Sequence, residues 1–154
     1  MSIFIIAEAG VNHNGSIDAA KQLIDEAAIA GVDAVKFQTF NASSLVTRNA
    51  PKANYQKLNS SNKESQFNML RRLELNESMH QELIEHCSKR KISFLSTAFD
   101  VKSVELLVKL GQECFKIPSG EITNLPYLRC IGGLNKNIIL STGMSTMDEI
   151  KVAI

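Results

Sequence analysis

Four charged residues stand where short apolar runs end: Glu8 in "FIIAEAGVNHNG", Lys36 in "AVKFQTF", Lys116 in "CFKIPS" and Glu121 in "KIPSGEITNLP". A charge at the end of a buried run needs a partner, because an unpaired charge is costly away from water. Further run ends carry Gln38 and Thr39, Ser96 and Thr97, Ser119, then Ser141 and Thr142. Hydroxyls such as those of Thr97, Ser119 and Ser141 each donate one hydrogen bond. Lys36 and Lys116 supply compact positive charge. The set suits a small anionic substrate carrying phosphate or carboxylate. Glu8 and Glu121 can handle protons or orient a polar substrate. Each lysine is also a candidate Schiff-base former. One Ser or Thr alone reads as a turn or cap, and Glu121 reads equally as an acid placed before a helix. Only the five run ends together favour a site.

The elements that must gather these groups alternate. Strand-like runs are "IFIIAEA", "AVKFQTF", "ISFLSTAF", "CFKIPS" and "NIILST". Between them "SIDAAKQLIDEAAIAG", "NESMHQELIEHCSKRK", "VKSVELLVKLG" and "LPYLRCIGGLN" have helical patterning, with Ser16 as an N-cap and Gly31 as a stop in the first. Alternation of this kind predicts parallel strands with helical crossovers, and near-continuous apolar strands predict that both sheet faces are covered. Parallel strand ends share one rim in a barrel or flank a crevice in an open sheet. No nucleotide-binding glycine motif is present.

Residues 41–63 are polar and aperiodic, which fits a lid, a binding loop or a surface insertion. "ESQFNMLRRLEL" closes that stretch as a short helix. His13 lies in the first strand-to-helix loop, as a ligand contact or a turn stabiliser. His80 and His86 are six apart on one helix, which does not put two ligands on one face.

The 154 residues, 44% of them hydrophobic, suffice for one core. The net charge of +1 argues against nucleic acid as a partner, and the short apolar runs argue against a membrane span. The N-terminus lacks the features of a signal peptide. Three scattered cysteines without a C-x-x-C fit buried thiols in a reducing cytoplasm.

In order, "AEAGVNHNGS", "GVDAVKFQTF", "FLSTAFD", "KIPSGEITNLP" and "IILSTGM" resemble the successive strand-end motifs of the sialic acid synthases, among them N-acetylneuraminate and N,N'-diacetyllegionaminate synthases. The resemblance runs from Ile3 to Ile154. It implies a TIM barrel that condenses phosphoenolpyruvate with an N-acetylmannosamine-type sugar and releases phosphate. It further implies a divalent metal, Mn2+ or Mg2+, to polarise the sugar aldehyde, and a homodimer. By motif, Lys36, Thr97, Lys116, Ser119 and Ser141 would hold phosphoenolpyruvate, while Glu8, Gln38 and Glu121 would face the sugar and the attacking water. Glu8, Glu121 and Lys36 are then the catalytic candidates. The "PKANYQK" loop resembles that of the sialate and legionaminate branch and fits the pseudaminate branch poorly.

Five strands are expected where a barrel has eight, so residues 1–154 read as the N-terminal portion of the barrel. The family's metal-binding histidines and its antifreeze-like domain would lie beyond it, and this portion alone is expected to bind metal poorly and to lack synthase activity. No metal ligand is assigned in the chain. Three alternatives remain: a 2,4-diacetamido sugar as substrate, a Schiff-base aldolase on the same barrel, and a non-catalytic assembly subunit.

Overall fold

The computed structural model describes residues 3–51 and 64–154. Most of the "PKANYQK" stretch therefore lies outside the described residues. The order is β1 (Ile6–Gly10), α1 (Ile17–Ile29), β2 (Ala34–Thr39), α2 (Ala42–Leu45), α3 (Gln66–Arg72), α4 (Glu77–Arg90), β3 (Ser93–Ala98), α5 (Val101–Lys109), β4 (Cys114–Ile117), a 3-10 turn (Ser119–Glu121), α6 (Leu125–Gly132), β5 (Asn137–Leu140) and α7 (Met147–Ala153).

The helix starts follow their capping chemistry. Ser16 Oγ accepts from Ala19 N, Asn76 Oδ1 from Met79 N and Asp100 Oδ1 from Ser103 N, each meeting an amide that the first helical turn cannot satisfy. Asn41 does the same for the short helix α2, so the start of the expected 41–63 loop is helical.

The strands run parallel, as the alternation predicts. β1 pairs with β2, setting Glu8 opposite Lys36, and β2 pairs with β3, setting Gln38 opposite Thr97. β4 pairs with β5. Between β3 and its neighbour β4 the ladder is interrupted. The Gln112 side chain occupies this position, accepting from Ser96 N at 2.8 Å and donating to Ser96 O at 2.9 Å. These five strands and their crossover helices form part of a TIM-type barrel.

Helices cover the outer face. Ala20, Ile24, Leu83 and Cys87 pack on Ala9, Val35 and Phe37, while Val104, Leu107, Tyr127 and Ile131 pack on Ala98, Phe115 and Ile117. Each such large side chain contributes about 1.5–3 kcal/mol by leaving water. Burial pushes the Cys87 thiol up to about 12, so it behaves as a small hydrophobe.

Three strand expectations need correcting. β1 starts at Ile6, and Ile3, Phe4 and Ile5 are exposed, so Glu8 does not end a fully buried strand. β5 is open, with Ile138 44% and Ile139 38% exposed, so coverage of both faces fails there. β4 and β5 stop at Ile117 and Leu140, which puts Ser119 and Ser141 just past the strand ends. After Ile117 the backbone turns into the 3-10 segment, where Glu121 N donates to Pro118 O, and this ends the β4 ladder.

Candidate active site

Strand side chains alternate in direction, so Lys36 and Gln38 share one face of β2 while Phe37 and Thr39 share the other. Phe37 and Thr39 lie in the helix-covered layer, which assigns Glu8, Lys36, Gln38 and Thr97 to the inner face. On that face Lys36 forms an ion pair with Glu8, the lysine side chain 12% and the glutamate side chain 49% exposed. Lys116 of β4 is held below the ordinary lysine range, first by burial and then by the charge of Lys36, with Glu8 acting in the opposite direction. The charges of Lys36 and Glu8 both act on Lys116, so the three groups lie within electrostatic reach of one another.

Gly10 shapes the space beside this pair. Its φ is +55°, and a Cβ there would lie 3.3 Å from Glu8 Oε1 and 3.6 Å from Gln38 Nε2. Only glycine takes that backbone conformation without strain and leaves both side chains room. Thr97, opposite Gln38, is fully buried, and its Oγ1 has no hydrogen-bond partner among the described residues. A buried hydroxyl in that state forfeits about 1–3 kcal/mol until something accepts or donates to it.

Ser119 lies in the 3-10 turn, where a Cβ on Gly143 would be 3.6 Å from its Oγ, so the turns after β4 and β5 are adjacent. Ser141 N donates to Ile117 O, which ties the start of the second turn to the end of β4. Glu121 is partly buried, and its Oε2 accepts from Asn124 Nδ2 at 2.6 Å while Asn124 caps α6. Glu121 is thereby tied to a helix start, the alternative raised by its position in the sequence.

Two rim candidates turn the other way. Thr39 and Ser96 face the helices, where Ser96 Oγ, Thr39 Oγ1 and His80 Nε2 follow each other at 2.7 Å and His80 Nδ1 is 2.8 Å from Asn76 O. A carbonyl only accepts, so Nδ1 carries the proton, Nε2 accepts from Thr39, and Thr39 accepts from Ser96. Sequence reasoning placed Thr39 and Ser96 on the rim and passed over this chain. The period-two alternation starting from Lys36 was the signal that could have found it.

His13 is fully buried beside Phe37, and its Nδ1 accepts from Gly15 N at 3.0 Å. That is the turn-stabilising role. Burial and then the neighbouring His80 lower its pKa, so the ring is neutral with its proton on Nε2. Gly15 itself must be glycine, with φ at +81° and Arg72 O only 2.3 Å from where a Cβ would stand.

The sequence profile of the NeuB family matches residues 23–154. The chain belongs to the NeuB family. It is 57% identical over 150 residues to the N,N'-diacetyllegionaminic acid synthase of Campylobacter jejuni, covering 97% of this chain and 45% of that protein. It is 32% identical over 149 residues to the pseudaminic acid synthase of the same organism, covering 96% of this chain and 43% of that protein. In three dimensions it is similar to the N-acetylneuraminic acid synthetase of Leptospira borgpetersenii solved with citrate, with a TM-score of 0.84, 34% identity, and coverage of 99% of this chain and 49% of that one. The chain thus spans about half the length of the curated relatives it matches.

This NeuB-family chain does not offer a metal centre in the described residues. No three of its His, Cys, Asp or Glu side chains come together there, Glu8 is paired with Lys36, and both ring nitrogens of His80 are engaged. No helix among the described residues is long and apolar enough to cross a membrane.

Proposed function

We propose that these residues form the phosphoenolpyruvate side of a synthase that joins this three-carbon anion to an N-acylated amino sugar. The proposal concerns the whole protein in which residues 3–154 act. The observation that carries it is the pair Lys36 and Lys116 on one face, with the carboxylate of Glu8 acting on both among the described residues. Their excess positive charge matches a phosphate and a carboxylate on one small molecule. Thr97, Ser119 and Ser141 supply hydroxyl donors, and Thr97 Oγ1 is buried with no partner among the described residues.

In the reaction the enol carbon of phosphoenolpyruvate attacks the sugar aldehyde, the alkene electron pair becomes the new C–C bond, and the aldehyde π pair moves to its oxygen, which takes up a proton. Water adds to the cationic carbon left behind and loses a proton, which Glu8 accepts. The carbon–oxygen bond to phosphate then breaks, leaving a 2-keto acid and inorganic phosphate. Gln38 and Glu121 face the sugar and orient its polar groups. The contrast between 57% and 32% identity to two synthases of one organism favours the sugar that bears two acetamido groups on the legionaminate route over the pseudaminate one.

The test is phosphate release from phosphoenolpyruvate with mono- and di-N-acyl sugars, by the protein as its source organism makes it. Sugar-dependent release that Lys36→Met abolishes is expected, and its absence with both sugars would sink the reading. A second reading, a Schiff-base aldolase, is favoured by the lowered pKa of Lys116, which increases the free amine. Borohydride trapping separates the two, because the synthase forms no imine.

A further inference from the structure

The charged site straddles a seam. Glu8, Lys36, Gln38 and Thr97 belong to the ladder β1–β2–β3, while Lys116, Ser119 and Ser141 belong to the ladder β4–β5 and the turns that follow its strands. Two side chains of the second half bridge the seam. Gln112, just before β4, pairs with both backbone groups of Ser96, at 2.8 and 2.9 Å. Tyr127, on α6, donates its phenol proton to Ala98 O at 2.6 Å. Both bridging residues are buried. Burial pushes the Tyr127 phenol up, with the charges of Glu121 and Asp100 acting the same way, so it stays a donor. Between the two anchored residues stands Thr97, whose hydroxyl is buried with no partner among the described residues.

We propose that Gln112 and Tyr127 are positioning residues, which hold Thr97 at the distance from Lys116 that lets phosphoenolpyruvate be gripped from both sides of the seam. The inference rests on the synthase reading above and names what sets the width of its anion site. A backbone ladder fixes neighbouring strands about 4.7–4.9 Å apart. Across this seam two side chains take the ladder's place, so the width follows from their length and packing. Gln112 grips the residue before Thr97 and Tyr127 the residue after it. The strand is thereby fixed on both sides of the hydroxyl, in rotation as well as in translation. Such control matters because a buried donor serves a ligand only within hydrogen-bond reach, and small misplacements are costly. Tyr127 packs with Val104, Leu107 and Ile131 in the helix layer, so it acts through β3 and not by touching substrate.

The experiment is a mutant cycle on the protein as its source organism makes it, read by calorimetric binding of phosphoenolpyruvate and by phosphate release. Tyr127→Phe removes the bond to Ala98 O and keeps the ring in its layer. It is expected to weaken binding by about tenfold, as much as losing the Thr97 hydroxyl itself. In a Thr97→Val background the same change should add almost nothing, because residues that act through one another are not additive. The Tyr127 amide still donates to Asn124 Oδ1, and Asn124 still holds Glu121. KM for the sugar should therefore stay while KM for phosphoenolpyruvate rises. Gln112→Met repeats the cycle from the other bridge and decides the matter if Tyr127→Phe does not fold. Unchanged binding, or equal weakening in both backgrounds, would overturn the positioning role and leave the synthase reading standing. If the unmodified protein does not bind phosphoenolpyruvate, the synthase reading falls and the positioning role falls with it.

Discussion

The two faces of β2 and β3 use the same kinds of residue to opposite ends. On the outer face Ser96, Thr39, His80 and Asn76 form an unbroken line of hydrogen bonds, and Gln112 satisfies both backbone groups of Ser96. On the inner face Thr97 Oγ1, one residue along β3, is buried without a partner among the described residues, and Lys116 of the neighbouring β4 is held away from water near Lys36. Polar groups that are fully paired inside a protein hold the fold, because each lost bond leaves its partner stranded. Polar groups left unpaired in a buried place lower stability and are retained where a ligand completes them. The contrast holds for these residues, although His13 Nε2, on the helix-covered side, is likewise buried without a partner among the described residues.

The largest effect that could break this division is at Lys116. Lys116→Met should weaken phosphoenolpyruvate binding by roughly two orders of magnitude, as expected when a charge-assisted contact is lost. The same variant should melt at a higher temperature, because it removes a desolvated amine facing Lys36. Binding by isothermal calorimetry and melting by scanning calorimetry check both halves. A variant that bound normally or melted lower would place Lys116 in the scaffold.

His80→Leu tests the opposite face. It strands the Thr39 hydroxyl and removes both ring contacts of a fully buried side chain. A loss of about 2–3 kcal/mol in urea unfolding is expected. Ligand affinity should change far less than in the Lys116 variant. A stable His80→Leu protein with ruined binding would reverse the assignment of the two faces.

Thr97→Val is isosteric and removes the unpaired hydroxyl. Its affinity for phosphoenolpyruvate should fall by about tenfold, one neutral hydrogen bond's worth. Its stability should hold or rise, because no protein partner is left behind among the described residues. Simultaneous loss of stability would mean that the hydroxyl serves the fold.

The architecture was legible because its signals are local. Strand–helix alternation gave five parallel strands, and Ser16 and Gly31 bounded α1 as capping predicts. The pairing of Glu8 with Lys36 and their closeness to Lys116 were legible because a charge ending an apolar run is rare. What was missed depends on which way a side chain points. Thr39 and Gln38 are neighbours in sequence and face opposite layers, and a list of strand-end residues does not distinguish them. Gln112 was also invisible. Its role arises from a break between β3 and β4, and nothing in "LGQECF" announces that its amide replaces a strand.

The smallest effect sharpens the comparison through protons. Burial holds His80 below its ordinary value of 6.5, outweighing the hydrogen bond to Asn76 and the charge of Glu77. A group whose folded pKa is depressed resists protonation, so below about pH 6.5 the unfolded chain binds a proton that the folded chain refuses. His80 therefore costs no stability above that pH, and stability declines as the pH falls from it toward the folded pKa. Other groups titrate in the same range, including His13, so the useful quantity is a difference. His80→Gln keeps an acceptor for Thr39 and cannot titrate. The unmodified protein should lose stability relative to this variant as the pH drops below about 6.5, and the two should run parallel above it. Parallel curves throughout would mean that His80 is not held neutral by its surroundings, and the hydrogen-bond order from Ser96 through Thr39 to the ring would have to be abandoned.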